Sequence, residues 1–555
     1  MKKTLSIFHL HNIALFALLF TTFFVYLNSL THSFVWDDEI LITHNRFIQN
    51  FQYLPDLFTQ NLFKGGDSQS NFWRPFQLLT YLINYKLSEL HPFGFHLFNT
   101  LLHSFVSFLV YLYLFLLFRR FEIAFLTSLI YSIHPIHTEA IAYISGRADS
   151  LASFFILLSL YFYILSTHAK TFRQSIGFYS LSFLCFPLAL MSKEMAILLP
   201  LYMILTDVVT FQDQEKKSMF HLVGRYLPML MLLAIYIILR KTTLDFSKIP
   251  LLEDNPVRHI PLLLRLLTFS RSVMGWMIHP VTHHLDLGYL GLLLFPINLH
   301  MERGMIYAKT LFEYPYLLSL NAFLILIIFT FYFYSKSKIK FFGLAFFIIA
   351  LLPFSDIIPL NANMAEHWLY LPSIGIFLIL SDIFVSTLKI KPHPIFRNFS
   401  KYTALTFMAI YLISLGTLTI LRNKDWKNNI SIWESTARFS DSSHLHGNLG
   451  VAYGRLKDFD RSKEEFLKAI QIQFNYPEVH NNLGLLHYHE GNFSQAEKEF
   501  NLALQFNPNY ANAYSNLGDV LYLEGSIEEA KKMWKKAVEI NPDHTEAKRK
   551  LGKIQ

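Results

Sequence analysis

Apolar runs recur from Ile13 to Leu421, and many approach the roughly 20 residues that cross a bilayer as a helix. Clear examples are Ile13–Leu30, His96–Phe118, Leu151–Leu165, Tyr316–Tyr334 and Tyr402–Leu421. Only 16% of residues are charged and 53% are apolar, so most of the chain must be solvated by something other than water. The 55 phenylalanines suit helices that face lipid. The spacing predicts about 11 to 13 spanning helices. The stretch from Ile260 to Pro296 is apolar but broken by "HPVTHHLDLG", which leaves a helix pair and a re-entrant element both open.

The net charge of +8 is unevenly placed. From Ser440 to Gln555 there are 14 Lys and Arg against 16 Asp and Glu, a net of −2, which leaves +10 on the remainder. A basic excess in short loops between apolar spans orients a protein in a membrane, so it does not indicate nucleic-acid binding. "MKK" before the first span, "RR" at Arg119–Arg120, "KSKIK" at 336–340 and "KIKPHPIFRNFSK" at 389–401 all fit a cytoplasmic side. The "WDD" loop, the loop after Ile133, the loop around "NANMAEHW" and the C-terminal part then share the opposite side, in periplasm or lumen. "LRNKDWK" at 421–427 is a basic cluster that runs against this alternation. No small-residue cleavage site follows the first apolar run, which is expected to remain as an anchor. The single cysteine, Cys185, sits within an apolar run and allows neither an intrachain disulfide nor a cysteine-based metal site.

The C-terminal part repeats every 34 residues: Leu449-Gly450, Leu483-Gly484 and Leu517-Gly518 share a register, as do Ala469, Ala503 and Ala537, and Phe466, Phe500 and Trp534. Small residues let paired helices approach and large ones fill the space between successive pairs, the pattern of tetratricopeptide repeats. Three units are expected at 444–477, 478–511 and 512–545, with 427–440 read as the second helix of a degenerate fourth. Such a solenoid is a scaffold for peptides or proteins and carries no chemistry of its own. The expected fold is therefore all-α, with a polytopic membrane domain over 1–425 and a repeat domain over 426–555.

Ionisable residues gather in the loops assigned to the outer side. Asp37 and Asp38 follow Trp36 directly after the first span; capping of a short interfacial helix accounts for Asp38 but not for Asp37. "HPIHTEAIAYISGRADS" at 134–150 brings His134, His137, Glu139, Arg147 and Asp149. An H-x-x-H-x-E metal reading exists there, although Pro135 interrupts the helix that would align the ligands. Gly146-Arg147 before Asp149 suggests a turn that presents the arginine while Asp149 caps the next helix. Lys193 and Glu194 stand at a membrane boundary, where the plain alternative is a self-paired surface couple. Glu366, His367 and Tyr370 lead into a later span, where Trp368 and Tyr370 fit an interfacial aromatic belt. Carboxylates and cations converging on one membrane face suit transfer of a group from a lipid phosphate: a carboxylate takes the acceptor proton and cations neutralise the leaving group. The chain has no glycine-rich phosphate loop to hold a nucleotide sugar.

"FVWDD", "FWRPFQLLTYLINYKL" (72–87), "HLFNTLLH" (96–103), "HPIHTEAIAYISGRADSLA", "SKEMAILLP" and "EHWLYLPSIG", followed by the repeats, resemble the transmembrane and tetratricopeptide repeat-containing O-mannosyltransferases of the GT-C superfamily. The likeness covers nearly the whole chain in order, and the short chain with few repeats suggests a bacterial relative. It implies inverting transfer of a sugar, mannose in that family, from a polyprenyl-phosphate donor to Ser/Thr hydroxyls of proteins. It implies Asp37 as the general base and Asp38 as its partner, or as a ligand for acceptor or metal. The expected donor-phosphate contacts are Arg147, Lys193, Arg74 and His367, and His134, His137, Glu139, Asp149, Glu194, Glu366 and Tyr370 shape the pocket. The family usually has Glu-Arg where this chain has Glu366-His367, and a histidine grips phosphate only when protonated. No metal is required by this scheme, though a divalent ion is compatible with it.

The expected partners are the lipid-linked donor, membrane lipids and acceptor proteins recruited by the repeats, with the repeats in the extracytoplasmic space of a bacterial cytoplasmic membrane. The rivals are transfer to lipid A or another envelope lipid, a glycan ligase, and a non-catalytic membrane-anchored scaffold. A transporter fits least, because the ionisable residues gather at one face and not at mid-span.

Overall fold

The computed structural model describes residues 2–66, 68, 70–210, 219–242, 259–278, 285–304, 306–358, 360, 362–389, 397–542 and 544–553. It divides into two compact units, one ending at Asn428 and one starting at Asn429. "HPVTHH" (279–284) and most of the basic segment at 389–401 lie outside the described residues.

The first unit opens with α1 (Lys2–Tyr26), whose exposed Phe16, Phe20 and Phe24 stack along one side at centroid spacings of 6.2 and 6.4 Å. At about 3.6 residues per turn, residues i and i+4 lie on the same stripe, so this face is built for lipid. Single-turn helices and α2 (Leu54–Thr59) then lead to α3 (Pro75–Ser88) and the long α4 (Pro92–Phe118). Arg119 takes φ 55° and returns its N–H to Phe115 O at 2.8 Å, closing α4 and reversing the chain into α5 (Phe121–Ile133). His134-Pro135 ends α5, since the residue before a proline is pushed out of helical geometry. The short α6 (Thr138–Ile141), α7 (Arg147–Thr167), α8 (Phe172–Leu190), α9 (Leu199–Thr210) and α10 (Met219–Thr242) follow.

After α11 (Leu262–Met274), Trp276–Ile278 (β1) and Leu285–Leu287 (β2) pair antiparallel with Met277 opposite Asp286. The rest of the unit is α12 (Tyr289–Leu294), α13 (Tyr314–Tyr334), α14 (Lys338–Leu351), α15 (Ser373–Thr387) and α16 (Arg397–Asn423). Its core runs through α1, α4, α5, α7, α14 and α15, with Tyr26, Tyr113, Tyr131 and Tyr163 fully buried.

Among the described residues six helical stretches are long and apolar enough to cross a membrane: His11–Thr31, Pro92–Phe118, Ile144–Thr167, Val223–Thr242, Tyr314–Tyr334 and Lys401–Trp426. Phe121–Ile133 and Ser373–Thr387 are apolar helices of shorter length. Several runs are cut by local turns: Met195–Val209 begins with a 3-10 turn over Glu194–Leu198, which leaves α9 only 12 residues.

In the second unit, α17 (Asn429–Thr436) precedes three helix pairs: α18 (Ser443–Arg455) with α19 (Phe459–Ile472), α20 (Pro477–His489) with α21 (Phe493–Phe506), and α22 (Ala511–Leu523) with α23 (Ile527–Ile540). The chain then runs into α24 (Thr545–Lys553). The repeat register has a direct steric cause. A Cβ at Gly450, Gly484 or Gly518 would lie 2.6 to 2.7 Å from the ring of Phe466, Phe500 or Trp534. The turn inside each pair places Lys457, Gly491 and Gly525 at φ 62°, 79° and 86°. A second periodic bond joins the two helices within a pair: His446 Nδ1 to Glu465 at 2.5 Å, and His480 Nδ1 to Glu499 at 2.7 Å.

Candidate active site

The loops that the charge pattern assigned to one side of the membrane meet in the structure. Asp38 is fully buried. Its Oδ1 accepts from Ser145 N–H (2.8 Å) and Ser145 Oγ–H (2.6 Å), and its Oδ2 accepts from Val35 N–H (3.1 Å). Asp38 begins the single turn Glu39–Thr43, yet its side chain gives that turn no cap bond and instead ties the first loop to the segment before α7. Burial pushes its carboxyl up to about 7, against the pull of the Ser145 and Val35 hydrogen bonds and with the charge of Asp37 adding to the rise. Asp37 beside it is half-buried.

Glu139, on α6, is buried and accepts from His367 N–H (3.0 Å) and His367 Nδ1 (2.7 Å). Burial opposes its ionisation, but the His367 ring, these hydrogen bonds and the charge of Arg422 hold its carboxyl below the ordinary value. Glu366 accepts from His300 N–H (2.6 Å), Arg303 Nε (3.3 Å) and Arg422 Nη2 (3.3 Å). Arg303 reaches on to Asp286 of β2 at 3.0 Å, and Arg422 to Asp425 at 2.9 Å. Asp286, His300, Arg303 and Arg422 carried no functional assignment in the sequence. The available signals were the break in the 260–296 stretch and the misplaced basic cluster at 421–427, which holds Arg422.

Two further ion groups come from the "SKE" segment. Lys193 Nζ lies 2.7 and 2.8 Å from the two carboxylate oxygens of Asp149. Burial lowers the Lys193 ammonium, with the Asp149 charge opposing it. Glu194 takes Arg74 Nε and Nη2 at 3.2 and 3.0 Å, and Arg240 Nη1 at 3.6 Å. Lys193 and Glu194 are therefore not a self-paired couple: extended backbone at Lys193 sends the two side chains to different partners.

Several expected site residues lie elsewhere. Arg147 is fully enclosed. It donates to Asn99 Oδ1 (2.6 Å), Thr80 Oγ1 (3.1 Å) and Phe95 O (3.1 Å), and its guanidinium lies over Tyr81 and Phe98 at 4.6 and 4.3 Å. It binds α3, α4 and α7 together and does not present itself to a ligand. Asp149 sits in the first turn of α7 with its carboxylate on Lys193, while Gly146 is the N-cap residue and supplies no side-chain bond. His134, His137 and Tyr370 are buried among aromatic side chains. His137 joins Tyr131 O (2.8 Å) and Ser373 Oγ (3.1 Å), and Tyr370 O–H meets His103 Nδ1 at 2.7 Å. His137 and Glu139 thus point to different partners, which separates the H-x-x-H-x-E donors. Among the described residues no group of three or more His, Cys, Asp or Glu side chains converges as a metal site.

The site is closed on one flank by the end of α16. Ser33 N–H and Oγ–H both donate to Lys427 O at 3.0 Å, and Asn423 Nδ2 donates to Val25 O (3.0 Å) and Asn28 Oδ1 (2.8 Å). The "LRNKDWK" cluster therefore lies on the face of Asp38.

Residues 13–249, which contain Asp37, Asp38, Glu139, Lys193 and Glu194, match the Dolichyl-phosphate-mannose-protein mannosyltransferase family. Residues 443–476 and 487–554 match tetratricopeptide repeat families. The chain carries a mannosyltransferase-family domain followed by tetratricopeptide repeats. Human Protein O-mannosyl-transferase TMTC3 is 26% identical over 477 residues, 81% of this chain and 50% of its own. Protein O-mannosyl-transferase F38B6.6 of Caenorhabditis elegans is 26% identical over 465 residues, 82% and 62% of the two chains. Human TMTC4 is 39% identical over 160 residues, 26% of this chain and 21% of its own. The chain spans about half the length of the human TMTC3 it matches. The mannosyltransferase-family domain takes in the acidic pair and both ion groups of the "SKE" segment. The Glu366 network lies beyond the matched residues.

Proposed function

We propose that this protein is an integral-membrane glycosyltransferase that moves mannose from a polyprenyl phosphate to Ser/Thr hydroxyls of proteins with inversion. The observation that carries this reading is the match of residues 13–249 to the mannosyltransferase family together with an acidic pair whose second member is locked in place. Asp38 is the anchor and Asp37 the base. The Asp37 carboxylate takes the acceptor hydroxyl proton as that oxygen attacks C1 of the sugar from the face opposite the phosphate. The C1–O bond breaks, and its electron pair leaves with the lipid phosphate.

Cations must meet the charge that grows on that phosphate. Arg74 and Arg240 share one carboxylate, that of Glu194, so this group keeps one net positive charge for the donor. Lys193 and His367 are each matched by a carboxylate, Asp149 and Glu139, and act by shaping the pocket wall. The repeats follow Asn428 in the chain and serve to recruit acceptor proteins, in the extracytoplasmic space of a bacterial cytoplasmic membrane. A lipid acceptor would need no such scaffold.

The test uses the full chain in lipid with radiolabelled polyprenyl-phosphate mannose and a Ser/Thr-rich peptide. Label reaches the peptide with wild type and not with Asp37→Asn. Full transfer by Asp37→Asn removes the assigned base, and no transfer by wild type with mannose or other sugars removes the activity.

A further inference from the structure

Both neighbours of Asp37 are held by one short segment. Asp38 gives its carboxylate to Ser145, while Trp36 lays its indole on the ring of Tyr143, with centroids 5.5 Å apart and planes 26° apart. Tyr143 is backed in turn by Trp426, at 5.2 Å and 20°, and Trp426 is fully buried. Three rings from three distant parts of the chain thus form a continuous stack that ends at the residue before Asp37.

The backbone at Trp36 needs such support. Its φ is 51°, in the left-handed region, where a bulky L-residue is an outlier. The turn it makes is closed by Asp38 N–H to Val35 O (3.0 Å) and Glu39 N–H to Trp36 O (3.1 Å). Strained conformations of this kind persist only where surrounding contacts over-determine them. The outer ring, Trp426, is itself fixed, because the next residue accepts two hydrogen bonds from Ser33 at the start of the same loop. The stack therefore closes a circuit from Ser33 through Lys427, Trp426, Tyr143 and Trp36 back to the loop that carries Asp37.

We infer that Trp36, Tyr143 and Trp426 are positioning residues: their stack holds Trp36 in its left-handed conformation and thereby sets the direction of the Asp37 carboxylate toward the acceptor. This rests on the assignment of Asp37 as base. Rotation about the Trp36 backbone swings Asp37 while leaving the donor-phosphate cations in place. Loss of the stack consequently lowers kcat and spares the KM for donor, because a misplacement of about 1 Å costs up to about 100-fold in rate.

Two measurements test it. In transfer assays, Tyr143→Leu and Trp426→Ala lower kcat about 10- to 100-fold with donor KM within twofold, while Tyr143→Phe and Trp426→Phe, which restore a ring, recover most of the rate. Separately, a nitroxide attached to Asp37→Cys reports the loop without any turnover; Cys185 is buried and is replaced by serine in this background. The label is immobilised with the stack intact, mobile in Tyr143→Leu and Trp426→Ala, and immobilised again in the phenylalanine variants. Trp36→Leu, at a half-buried position, provides the same reading if burial makes Trp426→Ala unfold. Identical spectra across all variants overturn the positioning role. Asp37→Asn assayed alongside separates the two ideas. Loss of transfer in Asp37→Asn with full transfer in the stack variants overturns the positioning role alone, and full transfer in Asp37→Asn overturns the base.

Discussion

Asp38 and Ser145 stand 107 residues apart in the chain and are joined by two hydrogen bonds, from the Ser145 amide and hydroxyl to one carboxylate oxygen. The contact joins the loop after α1 to the entry of α7, so the acidic pair is fixed by a segment remote from it in the chain. Neighbouring aspartates thereby differ in setting: Asp38 is buried and holds two segments together, while Asp37, the proposed base, is half-buried.

That burial has a pH signature. The folded-state carboxyl of Asp38 titrates near 7, above its ordinary 3.8, so the folded protein holds this proton more tightly than the unfolded chain. The stability it contributes is fully present below about pH 3.8 and is lost as pH rises through about 7. Thermal unfolding in detergent across pH 4 to 8 will show this downward component, and Asp38→Asn will remove it.

Arg147 is predicted to act on stability. Its guanidinium bridges Asn99, Thr80 and Phe95 O inside the unit, a fork that lysine cannot reproduce. Arg147→Lys is expected to cost about 2 to 4 kcal/mol, from one lost charge-assisted bond and one unpaired buried acceptor. The shift in unfolding midpoint, measured beside activity per folded molecule, checks it: the midpoint falls and the specific activity of the folded fraction stays.

The Lys193–Asp149 pair is buried, so breaking it differs from deleting it. Asp149→Asn leaves a buried ammonium uncompensated and is expected to destabilise by about 3 to 5 kcal/mol. Adding Lys193→Met to Asp149→Asn should recover most of that loss, and a double-mutant cycle of unfolding free energies gives the coupling.

Lys457 occupies the turn position that glycine fills in the next two repeats, at φ 62°. A side chain there meets the steric cost of the left-handed region, which glycine does not. Lys457→Gly is expected to stabilise the repeat unit by about 1 kcal/mol, read as a rise in its thermal or denaturant midpoint.

Much of the architecture follows from the sequence alone. Apolar length requires helices in lipid, and the 34-residue register of Gly450 with Phe466 and its successors requires stacked helix pairs. The segments that meet around Asp38 were also legible as a set, because charges flanking apolar spans must gather at a membrane face. Partnership was not legible. "GRAD" and "SKE" read as exposed charge in one dimension, and only packing shows Arg147 enclosed by neutral groups while Lys193 reaches back to Asp149. Helix lengths were not legible for a related reason: composition records an apolar run, while a turn such as Glu194–Leu198 shortens the helix within it. The Trp36–Tyr143–Trp426 stack belongs wholly to the tertiary structure, since three aromatic residues on separate segments share no local periodicity. Sequence determines which side chains are available at the face. The rotation and tilt of the helices decide which of them touch.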